Sequence, residues 1–211
     1  YKVHLPLDLM LVASANPEDY TNRGRIITPL KDRFGAQIRT HYPLDASVEV
    51  AVIDLEANLP DPEGVEVSVP GFMTAIVAEV SQLARQSPHI NQRSGVSVRL
   101  SITNRETLVA NALRRALRGG ERQVVPRISD LAALVASTAG KVEFETIEEG
   151  RDEQVLDRIM KGAVLETFRI QVDPTLLPSV VSAFDDGLIV HTGDDVASDD
   201  YIALVTGHPE L

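Results

Sequence analysis

The sequence predicts a mainly α-helical chain: the tail of an α/β domain, then a small helical domain, then an acidic extension. Three observations carry this. Leu9-Met-Leu-Val-Ala13 is a short continuous apolar run, the pattern of a strand buried on both faces of a parallel sheet. From Asp45 onward, apolar residues recur at helical spacing between Pro and Gly breaks. From Glu143 to Leu211 there are 16 acidic and 4 basic residues, against 15 and 16 in the rest, so the last third carries the whole net charge of −11.

Asn16-Pro17 ends the first run, because Pro17 cannot donate to a ladder and disfavours a helical residue before it. Thr28-Pro29 reads as the cap and first position of a short helix ending near Gly35, and Ala36–Tyr42 as a second strand closed by Pro43. Asp45 or Ser47 caps a helix to about Ala57, stopped by Pro60-Asp-Pro-Glu-Gly64. A second helix follows Pro70-Gly71, with Phe72, Ile76, Val77, Val80 and Leu83 at helical spacing, and Ser87-Pro88 ends it. Ser101–Leu117 is a third, closed by Gly119-Gly120, with Arg114, Arg115 and Arg118 near its negative end. Leu131–Ser137 is a fourth.

In the acidic third, Lys141–Thr146 alternates like a strand, Asp152–Phe168 is an amphipathic helix, and a short helix runs from Pro174 or Ser179 to Phe184. The stretch from Thr192 to Tyr201 reads as acidic turns, followed by the apolar Ile202–Val205. The domain boundaries are therefore 1–44, 45–140 and 141–211.

Composition narrows the function classes. Aromatics make up 4% with no Trp, so the core rests on Leu, Val, Ile and Ala. Zero Cys removes disulfides, thiolate metal sites and Cys nucleophiles. The near-neutral first two thirds and acidic last third argue against nucleic-acid binding, which needs a basic face. No apolar run reaches the length of a membrane span and no signal peptide opens the chain, so no membrane partner is expected and a cytoplasmic location is the simplest reading. The five His are scattered without ligand spacing, and the paired Asp of 185–200 fit no calcium loop, so no metal site is expected.

Four residues stand out as candidates for chemistry. Asn16, at the end of a strand, has the chemistry to orient a water attacking a γ-phosphate or to sense that phosphate; an Asn-Pro turn is the plainer alternative. Arg33 offers a permanently charged planar group to a transferring phosphoryl, with Asp32 beside it to orient the arginine or meet a neighbouring subunit; a surface ion pair is the alternative, and Arg23, Arg25 and Arg39 are rivals. Arg99, after a glycine turn and at a helix start, is set to project a cation over a nucleotide; a solvated arginine is the alternative, with Arg93 and Arg105 as rivals.

Together these segments resemble the AAA+ ATPases of the magnesium-chelatase ATPase-subunit and MoxR branch. Ala13-Ser-Ala-Asn16-Pro-Glu resembles the first sensor, and Leu30-Lys-Asp32-Arg33-Phe34 the arginine-finger segment. Ser94-Gly-Val-Ser-Val-Arg99 resembles the second sensor, and 117–130 more loosely the lid's Gly-Arg-x-x-Val-x-x-x-Asp link. The match covers about residues 1–140. It implies that 1–44 ends an AAA+ α/β core and 45–140 is its helical lid. It further implies a homo-oligomeric ring with ATP between subunits, where Asn16 and Arg99 act on the nucleotide in cis and Arg33 in trans.

The 211 residues contain no Gly-x-x-x-x-Gly-Lys-[Ser/Thr] loop and no apolar run ending Asp-Glu. ATP and Mg2+ are thus expected as cofactors of a longer parent and none of this part alone, which begins at Tyr1 as a truncated piece would. The parent is expected to couple ATP hydrolysis to porphyrin metalation, or to remodelling a protein partner that bears a metal-ion-dependent adhesion domain. A non-enzymatic interaction module, with helical lid and acidic tail binding a protein, is the alternative. A sigma-54-type transcription activator is disfavoured because no clear helix-turn-helix follows the lid.

Overall fold

The computed structural model describes residues 8–14, 32–92, 94–145 and 150–208. The chain divides into two units, Tyr1–Thr40 and His41–Leu211. The described residues of the first unit form neither helix nor strand. The strand expected over Leu9–Ala13 is irregular, with Met10 86% exposed, and so is the one expected over Ala36–Tyr42. A strand is held by ladder hydrogen bonds to a neighbour, and no described residue offers either segment one. Asp32 and Arg33 form a turn; the rest of the helix expected to end near Gly35 lies outside the described residues.

The second unit is mainly helical, with seven α-helices among the described residues. The first, α1 (Ala46–Glu56), starts where Asp45 accepts from the Val48 N–H at 3.0 Å. Hydrogen bonds from Ser47 and Val48 hold the Asp45 carboxyl below its usual range. Then come α2 (Gly71–Gln86) and the 22-residue α3 (Val98–Gly119), which Gly120 closes in the left-handed conformation at φ 71°. Two short strands, β1 (Glu66–Val67) and β2 (Gln123–Val124), pair in parallel over a small cluster of Ala112, Ala116 and Val124. The expected helix Leu131–Ser137 is realised as a 3-10 turn, Ile128–Ala133, running into α4 (Leu134–Ala139).

The acidic third does not stand apart as one extension. Its long helix α5 (Arg151–Gln171) lies along α2 and buries Val155, Leu156, Ile159 and Ala163 in the same core as Ile76, Val80 and Leu100. Of the apolar side read from its sequence, Val155, Leu156 and Ile159 face the preceding helices while Leu165 is exposed, and residues 151–171 belong to that bundle by packing. The strand expected over Lys141–Thr146 shrinks to one antiparallel bridge, Ile90 with Phe144, beside hydrogen bonds from Asn91 to Glu143 and Glu145 to His89. Beyond α5, a 3-10 turn (Pro174–Leu176) leads to α6 (Leu177–Asp185), which buries no residue. The chain then forms α7 (Ser198–Gly207), whose first four residues fall in the stretch expected to be turns and whose remainder takes in the apolar run Ile202–Val205. Asp199 and Asp200 lie in its first turn, where carboxylates favour the positive helix end.

The placement of α5 is testable. Leu156 is 1% exposed, so Leu156→Ala is expected to cost about 2–3 kcal/mol in urea unfolding, with α1–α5 lost in a single transition. A separate transition for α5 would contradict the shared core.

Candidate functional site

The best-built site surrounds the start of α3. Gly95 sits at φ 69°, a left-handed conformation that favours glycine, and the Tyr42 hydroxyl lies 2.7 Å from where a Cβ would stand. Val96 is buried, and its carbonyl accepts from Arg85 Nε at 2.9 Å. Ser97 then caps α3, accepting from the Arg99 N–H at 3.2 Å. Arg99, in the first turn, is exposed, while Leu100 and Ser101 after it are buried. No acidic residue stands in that turn. The positive helix end and the Arg99 guanidinium therefore reinforce one another, and an anion meeting this turn is attracted by both.

Beneath it lies a buried polar hub that sequence reasoning missed. Glu49 of α1 is 0% exposed and receives Arg85 through both terminal guanidinium nitrogens, at 2.5 and 2.8 Å. Gln82 Nε2 donates to the same carboxylate at 2.9 Å, and Ser101 Oγ donates to its other oxygen. Ser101 also meets Ser81 at 2.6 Å, and Arg85 lies 5.1 Å over the Tyr42 ring. The carboxylate thus ties α1, α2, the 94–97 turn and the first turn of α3 together. One signal existed in the sequence: Glu49 precedes the core residue Ile53 by four positions, placing an acid on the buried face of α1.

Among Arg99's rivals, Arg93 lies outside the described residues. Arg105 is buried, donates to Thr74 and pairs with Asp54 at 3.5 Å. Burial lowers its proton affinity, which Asp54 opposes, and its Nε has no hydrogen-bond partner among the described residues. It is a packing cation, and of the two described arginines Arg99 is the one that faces solvent. Asn16 lies outside the described residues, whereas Asp32 and Arg33 are exposed in their turn in the first unit. The sites of Asp32 and Arg33 on one hand and Arg99 on the other are thus each defined within their own unit.

A second polar cluster occupies the far end of α3. Arg115 donates to buried Asp130 at 3.0 Å and to the Val125 carbonyl at 2.8 Å, while Asn111 and the Arg127 N–H complete the Asp130 carboxylate, each at 2.8 Å. Arg127 reaches the C-terminal segment, donating to the Gly193 and Val196 carbonyls and Ser198 Oγ at 3.2, 2.7 and 3.1 Å. Its guanidinium covers the Tyr201 ring at 4.6 Å, and the Ser198 N–H donates to Glu121 at 2.9 Å. Burial pushes the Glu121 carboxyl up, but hydrogen bonds from Ser198 and the charges of Arg127 and Arg115 outweigh it and leave it below its usual range.

No protein-family model, curated protein or solved structure matches the chain. No helix among the described residues is long and apolar enough to cross a membrane.

Proposed function

We propose that this chain is the C-terminal part of a magnesium-chelatase-like AAA+ ATPase, with residues 1–44 ending its α/β core and the helices from Asp45 onward forming its lid. One observation carries the reading: Arg99 is exposed on a first turn of α3 that lacks acidic residues and is fixed from below by the buried Glu49 hub. That is an exposed cation on a helix N-terminus whose backbone is fixed, the arrangement suited to meeting nucleotide phosphates.

In this reading Arg99 neutralises phosphate charge from the lid of its own subunit. Asn16 orients the attacking water, and Arg33 reaches a neighbour's nucleotide in a homo-oligomeric ring, with Asp32 aligning it. The phosphate-loop motif and the apolar run ending Asp-Glu that would hold magnesium do not occur in these 211 residues. Magnesium bound elsewhere in the parent supplies charge neutralisation at the phosphates. The partner remodelled, whether a protein with a metal-ion-dependent adhesion domain or a porphyrin metalation complex, belongs to the same proposal.

In the longer protein carrying the phosphate loop, Arg99→Ala is expected to reduce ATP turnover by about 10- to 100-fold. The helical circular dichroism should stay unchanged, since an exposed side chain is removed. Wild-type turnover in an intact Arg99→Ala protein would remove the observation on which the proposal rests.

A further inference from the structure

The far end of α3 carries cations that the proposed ATPase role does not use. Arg114 and Arg118 are exposed, and neither forms an ion pair among the described residues. Arg114 donates only to Asn111, at 2.6 Å, whereas neighbouring Arg115 is neutralised by Asp130. These three arginines, with Asn111 and Gly119, line one side of a cleft of about 450 Å³, whose other side is Asp194 and Asp195. Asp194 and Asp195 likewise form no ion pair among the described residues, so charges of opposite sign share the cleft unpaired.

What holds Asp194 and Asp195 there is a separate latch. Arg127 grips the flanking backbone at Gly193 and Val196, Ser198 is held from both sides by Arg127 and Glu121, and Tyr201 packs under the Arg127 guanidinium. Arginines at a helix C-terminus complement its dipole, which explains their sequence position. That does not explain an acidic segment fastened opposite them from 66 to 77 residues away.

We propose that Arg114 and Arg118 form a docking surface for an acidic peptide segment of a partner protein, and that residues 193–201 are a built-in competitor which lowers its affinity. Two exposed guanidinium forks suit carboxylates bidentately. The cleft has room for a few side chains and not for a folded domain. The chain's own Asp pair identifies the charge that this surface complements, and it repels an incoming acidic segment while it stays latched. The inference is independent of the ATPase reading.

The test uses the whole chain and a fluorescently labelled peptide of alternating Asp and Glu, followed by anisotropy at low ionic strength. Asp194→Asn with Asp195→Asn is expected to tighten binding about three- to tenfold, and Tyr201→Ala, which loosens the latch, to act in the same direction. Arg114→Gln with Arg118→Gln is expected to weaken binding at least about tenfold. All these side chains except Tyr201 are exposed, so the two charge variants keep the fold and report on the surface alone. Binding unaffected by the arginine pair, or not tightened by the asparagine pair, would overturn the proposal. So would equal competition by a single-stranded oligonucleotide, which would mark an unselective polyanion surface.

Discussion

Glu49→Ala is expected to lower unfolding stability by about 3–5 kcal/mol, the cost of stranding a buried cation. The Glu49 carboxylate is fully buried and accepts from Arg85 twice, from Gln82 and from Ser101. Alanine strands the two terminal guanidinium nitrogens of Arg85, which keeps the Val96 carbonyl and the Tyr42 ring among the described residues, while Ser101 still has Ser81 and Gln82 the Pro43 carbonyl. Glu49→Gln keeps the shape and one acceptor and loses the charge, so its loss is smaller. A Glu49→Met, Arg85→Met double variant removes both charges and fills the space, and recovers much of the stability. Urea unfolding of the three variants checks the order, and a double variant worse than Glu49→Ala would show that burial of the charge is not the source of the loss.

Arg33→Ala is expected to reduce ATP turnover of the longer protein about 1,000-fold or more, the scale of an arginine finger supplied in trans. Lysine at Arg33 should not restore it, because a point ammonium cannot match the planar fork that spans transferring phosphoryl oxygens. Nucleotide binding should change far less than turnover, since the finger acts mainly where charge develops in the transition state. Steady-state kinetics with nucleotide titration separate the two quantities. A rise in KM with turnover unchanged would assign Arg33 to ground-state binding and contradict a finger.

Local signals in the sequence located most helices of the second unit. Asp45 caps α1 by the expected side-chain bond, Gly119-Gly120 ends α3, and Val155, Leu156 and Ile159 mark the buried side of α5, although Leu165, expected on that side, is exposed. The failures share a physical cause, which is dependence on distant partners. The apolar run Leu9–Ala13 has the composition of a sheet strand, yet a strand exists only through a neighbour's ladder, and no described residue provides one. The 192–201 stretch reads as acidic turns, but Ser198, Asp199 and Asp200 begin α7, and Arg127, 71 residues earlier than Ser198, fastens it. Period and composition carry no information on such a pairing.

The candidate site divides in the same way. The glycine turn and Arg99 near a helix start are read from six consecutive residues, whereas the helix begins at Val98 behind a Ser97 cap, three residues before the expected Ser101. The carboxylate that fixes them comes from Glu49, 50 positions before Arg99, and is recognisable only as an acid on an apolar helix face. Arg105 illustrates the converse: by type it rivals Arg99, and only its burial against Thr74 and Asp54 removes it.

The central claim, that Arg33 completes a nucleotide site on a neighbouring subunit, is tested most directly by mixing subunits of the longer protein. One population carries Arg33→Ala with an intact phosphate loop, and the other a disabled phosphate loop with Arg33 intact. Each alone is expected to be nearly inactive, while mixed rings pair a working loop with a working finger and regain a measurable share of ATP turnover. A mixture that assembles into rings and still never exceeds the summed activity of its two components would contradict the account.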